Sequence, residues 1–306
     1  MNRLIVPEAM VAPALRLMRA NRTFVTADGA RRRVRERELR PQPYGPPRRL
    51  RSDLRVSVTH ERWPVYTLTP RNTDATGAVV YVHGGGWVNE IAPQHWQLAA
   101  QIAVEARTTV VLPIYSLVPF GDADEANRGV VDLVRRQRDR AGRTVIAGDS
   151  AGGQIALSAA LTLRDADGTA PSSTVLISPA LDLTWSNPRI PEVQPRDPWL
   201  ATPGGRVLAE LWRGELDILD PVVSPLAGDM TGLGPITVFS GTRDVLNPDS
   251  HLLVQKARAA GVSVEFHEGE GQVHVFPLLP TRVGRQARAT VVRSIRRDLR
   301  GDADIG

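Results

Sequence analysis

The chain has 306 residues, 42% of them hydrophobic and 23% charged, which is typical of a globular protein long enough to bury its own core. It has no cysteine, so disulfides, cysteine-ligated metals and a cysteine nucleophile are excluded. The formal net charge is +5; almost all the basic residues are arginines, and nine of these crowd residues 31–51. We interpret this stretch as a solvated basic face and expect no nucleic-acid partner; the alternative is contact with a membrane surface or an acidic partner.

An N-terminal helical arm is predicted at residues 1–50, ahead of the main domain at 51–306. Residues 1–20 are amphipathic and lack the uninterrupted apolar core of a signal peptide, so we interpret them as a helix of the mature, cytoplasmic protein. No apolar run reaches the roughly 18–20 residues that span a bilayer. The segment 41–47 contains four prolines, which excludes a regular helix or a central strand and indicates a linker.

From about residue 54, short apolar strands alternate with helical stretches. Two antiparallel edge strands are predicted near residues 56–58 and 65–68. The later strands lack polar alternation, which indicates burial on both faces and therefore a parallel sheet covered by helices. These strands are predicted at Ala78–Val82, Thr109–Pro113, Thr144–Ala147, Thr174–Ser178, Ile236–Ser240 and Val262–Phe266, with helices near 94–106, 123–140, 151–164, 249–260 and 282–299. The pattern predicts a doubly wound α/β fold with a mostly parallel central sheet and helices on both faces.

A long interval interrupts this alternation between Ser178 and Ile236. It is more than 50 residues long and contains Trp185, Trp199 and Trp212. Long insertions with apolar residues of their own often cover active sites. We therefore expect an insertion at about residues 181–228 to form a cap together with the N-terminal arm. The alternative is a packed structural insertion that does not contact substrate.

The motif G-x-S-x-G occurs at residues 148–152, with Ser150 at its centre. The pattern alone is weak, but it falls between a predicted strand and a predicted helix. Such a turn holds a serine in a strained conformation with its hydroxyl exposed, and the helix N-terminus favours developing negative charge. The alternative is a phosphate loop or a plain tight turn. We expect Ser150 to be a catalytic nucleophile.

A second motif, H-G-G-G-W, follows the strand Ala78–Val82 directly. Consecutive glycines let the backbone turn N–H groups towards a ligand oxygen. We expect the N–H groups of Gly84, Gly85 and Ala151 to form an oxyanion hole. His83 is expected to orient this loop and not to transfer protons; the alternative for the glycines is a flexible turn.

A serine nucleophile needs a general base, which a carboxylate orients. Among the histidines after Ser150, we prefer His274, because it follows the last predicted strand in a loop that reaches the carboxyl edge of the sheet; His267 is second and His251 third. Asp244 is the preferred carboxylate, since it follows the strand Ile236–Ser240. Its competitors are Asp249, interpreted as a helix N-cap, and Asp229, which precedes the strand at the wrong edge of the sheet.

These segments resemble the hormone-sensitive-lipase-like (bacterial family IV) carboxylesterases of the α/β-hydrolase superfamily. The likeness rests on residues 83–87, 148–153, 241–246 and 274–276, with 220–226 in support. It implies an α/β-hydrolase fold, and it implies that Asp149 supports the turn and the oxyanion loop through hydrogen bonds. Many members carry D-Y-R-L-A-P-E after the second parallel strand, where this chain has I-Y-S-L-V-P-F at residues 114–120, so the Asp, Arg and Glu of that segment are all replaced.

The combined expectation is a serine carboxylesterase that hydrolyses short- to medium-chain acyl esters, with no metal and no organic cofactor. The small-molecule ester is the expected partner, and a homodimer through the last strand and helix is possible. An amidase or deacetylase with the same triad is the first alternative. A non-catalytic binding protein on a hydrolase fold is the alternative from another class, although such proteins usually lose the nucleophile or the base.

Overall fold

A computed structural model describes residues 5–48 and 50–301, which contain one eight-stranded sheet. The order of the strands across the sheet is β1-β2-β4-β3-β5-β6-β7-β8. The strands are β1 Leu54–His60, β2 Pro64–Pro70, β3 Ala78–Val82, β4 Thr109–Pro113, β5 Thr144–Asp149, β6 Ser173–Ile177, β7 Ile236–Gly241 and β8 Val264–Gly269. β1 and β2 pair antiparallel with each other, and β2 pairs antiparallel with β4. All the other pairs are parallel, as the sequence predicted.

Helices cover both faces of the sheet. The α-helices of the described residues are α1 Glu8–Leu17, α2 Ala27–Leu39, α3 Pro93–Glu105, α4 Ala123–Ala141, α5 Ala151–Asp167, α6 Ile190–Val193, α7 Thr202–Trp212, α8 Asn247–Ala259 and α9 Arg282–Arg300. Successive residues of β3 point to opposite faces and enter different cores. Tyr81 packs in the core that contains Trp96 of α3 and Ile295 of α9. Val80 belongs to the other core, with Ile155 of α5. The doubly wound α/β prediction is confirmed.

Helix and strand bounds agree closely with the sequence prediction except around β8. This strand begins at Val264 and ends at Gly269, so His267 lies inside it and not at its end. α8 begins at Asn247 with Pro248 in its first turn, where the fixed φ of proline suits a helix start. Asp249 therefore lies inside the helix, and its interpretation as an N-cap is wrong. Its carboxylate accepts a hydrogen bond from Asn187 Nδ2 at 2.7 Å instead.

The N-terminal arm contacts both the insertion and the C-terminal part of the chain. Gly204 N, in the first turn of α7, donates to Phe24 O at 2.8 Å, and a Cβ on Gly204 would lie 2.4 Å from Thr23 O. At the other end of the arm, the Glu8 carboxylate accepts a hydrogen bond from Val283 N at 3.1 Å. The proline-rich segment 41–47 is neither helix nor strand, as predicted. Among the helices of the described residues, none combines the length and apolarity needed to cross a bilayer.

Candidate active site

Ser150 lies at the turn between β5 and α5 with φ 52° and ψ −120°. This is a strained conformation for a residue with a side chain. The turn is held by Ser150 N, which donates to Ile177 O at 2.8 Å. The glycines on either side are required by packing, since a Cβ on Gly148 would lie 2.3 Å from Gly152 O and one on Gly152 would lie 2.1 Å from Val82 O. The G-x-S-x-G spacing follows from this close approach of strand and helix.

Two residues from later strand ends meet the serine. The Ser150 hydroxyl donates to His274 Nε2 across 2.9 Å, and His274 Nδ1–H donates to Asp244 Oδ2 across 2.8 Å. Asp244 is fully buried, and its other oxygen accepts a hydrogen bond from Leu246 N at 3.0 Å. Three residues separated by 30 to 124 positions thus form one hydrogen-bonded chain of serine, histidine and carboxylate.

The pKa of His274 is raised above its ordinary value. Burial of the ring alone would lower this pKa, because it penalises the imidazolium. The charge of Asp244 and its hydrogen bond to the ring raise it, and Asp197 and Asp149 add to the effect. The site therefore stabilises the protonated imidazolium form of the His274 ring.

The competing residues do not reach this site. His267 stacks on Phe239, with ring centroids 4.6 Å apart, and pairs with Glu265 at 2.8 Å. His251 pairs with Glu268 at 2.6 Å. Asp229 accepts hydrogen bonds from its neighbour Thr231 in an exposed turn.

Asp149 joins the serine turn to the loop that follows β3. Its Oδ1 accepts hydrogen bonds from the Tyr81 hydroxyl at 2.7 Å and from Gly84 N at 3.1 Å, and its Oδ2 bonds to His95 Nε2 at 3.1 Å. Burial would raise the pKa of Asp149, but His95 and these hydrogen bonds outweigh it and lower the pKa. The carboxylate is therefore charged and holds the two segments together, in the position that the family resemblance implied.

The expected oxyanion hole needs one correction, at Gly84. Its N–H donates to Asp149, so it does not face the cavity beside Ser150. Gly84 is a glycine for another reason: a Cβ there would lie 2.3 Å from Asp149 Oδ2. By contrast, Gly85 and Gly86 line the cavity, and their N–H groups have no hydrogen-bond acceptor within residues 5–48 and 50–301. As the first residue of α5, Ala151 also has no intrahelical acceptor for its N–H.

His83 lies behind this loop, away from Ser150. Its Nδ1–H donates to Gly84 O at 2.7 Å, and its ring stacks on Tyr115 with centroids 4.7 Å apart. Burial lowers the pKa of His83 to about 4, so the ring is neutral near pH 7. These contacts fix the start of the glycine loop, which is the place expected for an orienting residue.

A cavity of about 570 Å³ opens over Ser150 and His274. The N-terminal arm contributes the segment from Met18 to Phe24, while the insertion contributes Trp199 and Leu200. The Trp199 ring packs edge-on against His274, with centroids 5.8 Å apart and planes at 84°. The other tryptophans of the insertion, Trp185 and Trp212, are buried in the core and do not line the cavity.

Sequence reasoning missed Asp197, a second buried carboxylate beside the site. Its Oδ1 accepts hydrogen bonds from Trp199 N at 2.7 Å and Leu200 N at 2.9 Å, and its Oδ2 accepts from Val245 N at 2.8 Å. Burial, with the nearby charge of Asp244, raises the pKa of Asp197 to about 6. Asp197 thus joins the cavity-lining part of the insertion to the turn that carries Asp244. Only the fold brings these segments together, so no local sequence signal marks the residue.

Two arginines of the basic stretch are not on a solvated face. Arg37 is buried, forms an ion pair with Glu90 and donates to Val88 O at 3.1 Å. Arg33 is half-buried and donates to Asn89 Oδ1 at 2.8 Å. Both bonds attach α2 to the loop after the H-G-G-G-W motif. The other described arginines of the stretch are exposed, so the solvated-face interpretation is wrong for these two residues only.

The sheet topology, together with a serine, histidine and carboxylate at the carboxyl ends of parallel strands, defines the α/β-hydrolase class. Residues 79–278 match the family described as alpha/beta hydrolase fold. The chain belongs to the hormone-sensitive-lipase-like carboxylesterases of this fold, and it is a carboxylic ester hydrolase.

Three known proteins illustrate the relationship. The chain is 33% identical over 242 residues to a triacylglycerol lipase of Mycobacterium tuberculosis, a match that covers 76% of this chain but only 50% of the lipase. It is 30% identical over 288 residues to the carboxylesterase NlhH of the same species, which covers 88% of each protein. The crystal structure of a hormone-sensitive-lipase homologue from a metagenome library, EstE7, superposes with a TM-score of 0.79 at 25% identity, over 97% of this chain and all of the homologue.

Proposed function

We propose that the protein hydrolyses short- to medium-chain acyl esters through an acyl-enzyme on Ser150. The observation that carries this proposal is the hydrogen-bonded chain from the Ser150 hydroxyl through His274 to Asp244, with distances of 2.9 and 2.8 Å. A serine hydroxyl becomes a nucleophile when a positioned base takes its proton. His274 is that base, and Asp244 holds its proton on Nδ1 so that Nε2 is free to accept.

The reaction follows from this geometry. Ser150 Oγ attacks the ester carbonyl while His274 Nε2 takes the hydroxyl proton. The N–H groups of Gly85, Gly86 and Ala151 bind the oxyanion; removing one such donor typically costs about 3 kcal/mol of transition-state stabilisation. The protonated His274 gives its proton to the leaving alcohol. Water, activated by the same ring, then attacks the acyl-enzyme, which releases the acid and restores Ser150.

The cavity supports a substrate of limited length. Its volume of about 570 Å³ lies within the range of sites for small molecules. Phe24, Trp199, Leu200 and Leu278 provide apolar walls close to Ser150 and His274. These apolar walls can bury an acyl chain of short to medium length.

We also propose that the arm at residues 1–50 and the insertion at about 181–228 act together as a cap. Both line the cavity, and the backbone bond from Gly204 N to Phe24 O connects them directly. A cap excludes water from the acyl-enzyme site and selects the substrate that can enter. The cap thereby sets the acyl-chain preference.

A series of p-nitrophenyl esters from acetate to palmitate tests the proposal on wild type and Ser150→Ala. We expect maximal kcat/KM at short or medium chains, and a loss of at least about 10³-fold in Ser150→Ala. A fluorophosphonate should label the wild type and not Ser150→Ala. His251→Gln is the matched control, because His251 is half-exposed and does not line the cavity.

Two outcomes would contradict the proposal. If Ser150→Ala keeps its activity or its label, the nucleophile is another residue. If an anilide with the same acyl group is cleaved as fast as its ester, the reaction is that of an amidase, which uses the same first step with a different leaving group.

A further inference from the structure

We propose that the exposed end of the cavity binds an anionic group on the substrate, a carboxylate or a phosphate, through Arg19 and Arg22. This inference rests on the proposed function, because it names the class of ester that the site at Ser150 would accept. The preferred substrate is then an ester whose acyl chain ends in a negative charge, and not a wholly neutral lipid.

Arg19 and Arg22 are the cations at this end of the cavity that lack a partner. Both residues line the cavity that contains Ser150 and His274, and both are exposed. Within the described part of the chain, neither guanidinium has a hydrogen bond or an ion pair. Arginine presents a planar set of donors that matches a carboxylate or a phosphate, so the pair is suited to receive such a group.

The backbone fixes where Arg19 leaves the end of α1. Arg19 follows the end of α1 with φ 50°, and Ala20 N donates to Leu15 O at 3.0 Å in the manner of a Schellman motif. Glycine is the usual residue at this left-handed position, because a side chain there strains the backbone. The chain nevertheless has an arginine at this position, and this residue lines the cavity.

The charges around the cavity leave this end positive. Of the acidic groups in the cavity wall, Glu90 is paired with buried Arg37, and Asp149 is hydrogen-bonded to three groups at the closed end. Arg33, the third arginine of the wall, donates to Asn89 and lies 3.4 Å from Glu36. No acid of the wall is therefore available to neutralise Arg19 and Arg22, and an anionic substrate supplies the missing charge.

An anionic membrane surface is the competing explanation. Leu17 and Met18, beside Arg19, are 87% and 68% exposed, and apolar side chains next to arginines favour a charged lipid surface. The cavity favours the small molecule, because the two arginines share its wall with the nucleophile, whereas a membrane would contact only the outer face.

The test compares two esters that differ in charge and not in chain length: mono-4-nitrophenyl suberate, which carries a free carboxylate, and its neutral methyl ester. We expect wild type to prefer the anionic ester by at least fivefold in kcat/KM at 20 mM NaCl, and the preference to shrink at 500 mM NaCl, where screening is strong. In the double variant Arg19→Gln/Arg22→Gln, the ratio should fall to about one, mainly through KM. The two kcat/KM values are measured on the same preparation of each variant. Any loss of folded protein lowers both values equally and does not change their ratio.

Two further variants refine the test. Arg32→Gln removes an exposed arginine of α2 that does not line the cavity, so its ratio should equal that of wild type. Arg19→Gly should raise the melting temperature, because it relieves the strain, and should still weaken the preference. Competition against the neutral ester by free suberate and by inorganic phosphate distinguishes a carboxylate from a phosphate as the bound group.

Equal activity on the two esters in wild type would overturn the inference while leaving the proposed function intact. Absence of activity on both esters would instead reject the proposed function. If Arg19→Gln/Arg22→Gln loses binding to vesicles of phosphatidylglycerol and phosphatidylcholine but keeps the wild-type ester ratio, the membrane explanation replaces the anionic substrate.

Discussion

His274 contacts the hydroxyl on one side and the Asp244 carboxylate on the other, and its protonation state therefore controls the proposed reaction. Because the pKa of His274 is raised above 6.5, the ring carries a proton, and cannot act as a base, below that raised value. We expect kcat/KM for p-nitrophenyl acetate, measured from pH 5 to 9, to be full at high pH and to fall as pH drops through a point above 6.5. A profile that stays flat down to pH 5 would exclude His274 as the base.

Asp197 provides a separate test at the scale of one residue. Asp197→Asn removes a negative charge that helps to raise the pKa of His274, so the acid limb of the kcat/KM profile should move to lower pH. Both carboxylate oxygens of Asp197 accept hydrogen bonds from backbone N–H groups, but the asparagine side chain has only one acceptor oxygen. The substitution therefore leaves a buried N–H of Val245, Trp199 or Leu200 without a partner, which should cost about 1–3 kcal/mol of stability.

The control for Asp197→Asn is Asp229→Asn, because Asp229 lies in an exposed turn away from the cavity. It should change neither the pH profile nor the stability by more than about 0.5 kcal/mol. If Asp197→Asn lowers stability but leaves the acid limb where it is in wild type, Asp197 has only a structural role.

Some residues of the site could be predicted from the sequence, whereas others have no local sequence signal. The sequence predicted that Ser150, Asp244 and His274 would meet because each follows a predicted strand, and parallel strands bring their carboxyl ends to one edge; the structure places the three side chains in contact. The assignment of the Gly84 N–H to the oxyanion hole is wrong, because the sequence does not distinguish three consecutive glycines from one another. Which of their N–H groups faces the cavity depends on Asp149, a residue 65 positions away. Asp197 had no local signal at all.

At the scale of elements, the glycine loop after β3 has two different requirements. At Gly84, a Cβ would clash with the backbone and carboxylate of Asp149, at 2.7 and 2.3 Å. At Gly86, it would approach only side chains, the nearest being Phe24 at 3.2 Å, although φ is +60°. Gly84→Ala should therefore shift the loop, cost about 1–3 kcal/mol and reduce kcat sharply.

Gly86→Ala is the comparison for Gly84→Ala. This substitution should lower stability by about 1–2 kcal/mol, mainly because an alanine is strained in the left-handed backbone conformation. Thermal unfolding and p-nitrophenyl butyrate hydrolysis measure both effects. A Gly84→Ala protein with wild-type stability and kcat would mean that the bond between Gly84 and Asp149 does not position the loop.

The elements themselves were predicted best where they are fully buried. β3 and β4 have the bounds that the sequence predicted, because every residue of β3 is buried and a continuous apolar run marks such a strand. β8 was misplaced by two to three residues. Its residues are half-buried or exposed, so their composition does not mark where the strand begins and ends.

At the scale of the whole molecule, the ion pair between Arg37 and Glu90 attaches the arm to the catalytic body. Removing one partner leaves the other charge buried, which typically costs 3–5 kcal/mol. Arg37→Met should therefore destabilise the protein by about that amount and lower activity, because α2 would separate from the loop at residues 85–90. The double variant Arg37→Met/Glu90→Gln should recover most of the stability.

A thermodynamic cycle of the two single variants and the double variant, measured by urea unfolding, gives the coupling energy. Coupling below about 0.5 kcal/mol would show that the pair does not join the arm to the body. The sequence did not predict this attachment. The two partners are 53 residues apart, and nothing in the local sequence distinguishes the buried arginine of α2 from its exposed arginines. Only Arg33 and Arg37 face the body.

The cavity is built from segments that lie far apart in the sequence. Met18 to Phe24 belong to the N-terminal arm, whereas His274 and Leu278 follow β8, and Val6 N donates to Pro280 O at 2.8 Å. During synthesis, where the N-terminal part folds first, the serine turn emerges more than a hundred residues before His274. Until His274 has been added, Ser150 therefore lacks the imidazole that accepts its proton in the proposed reaction.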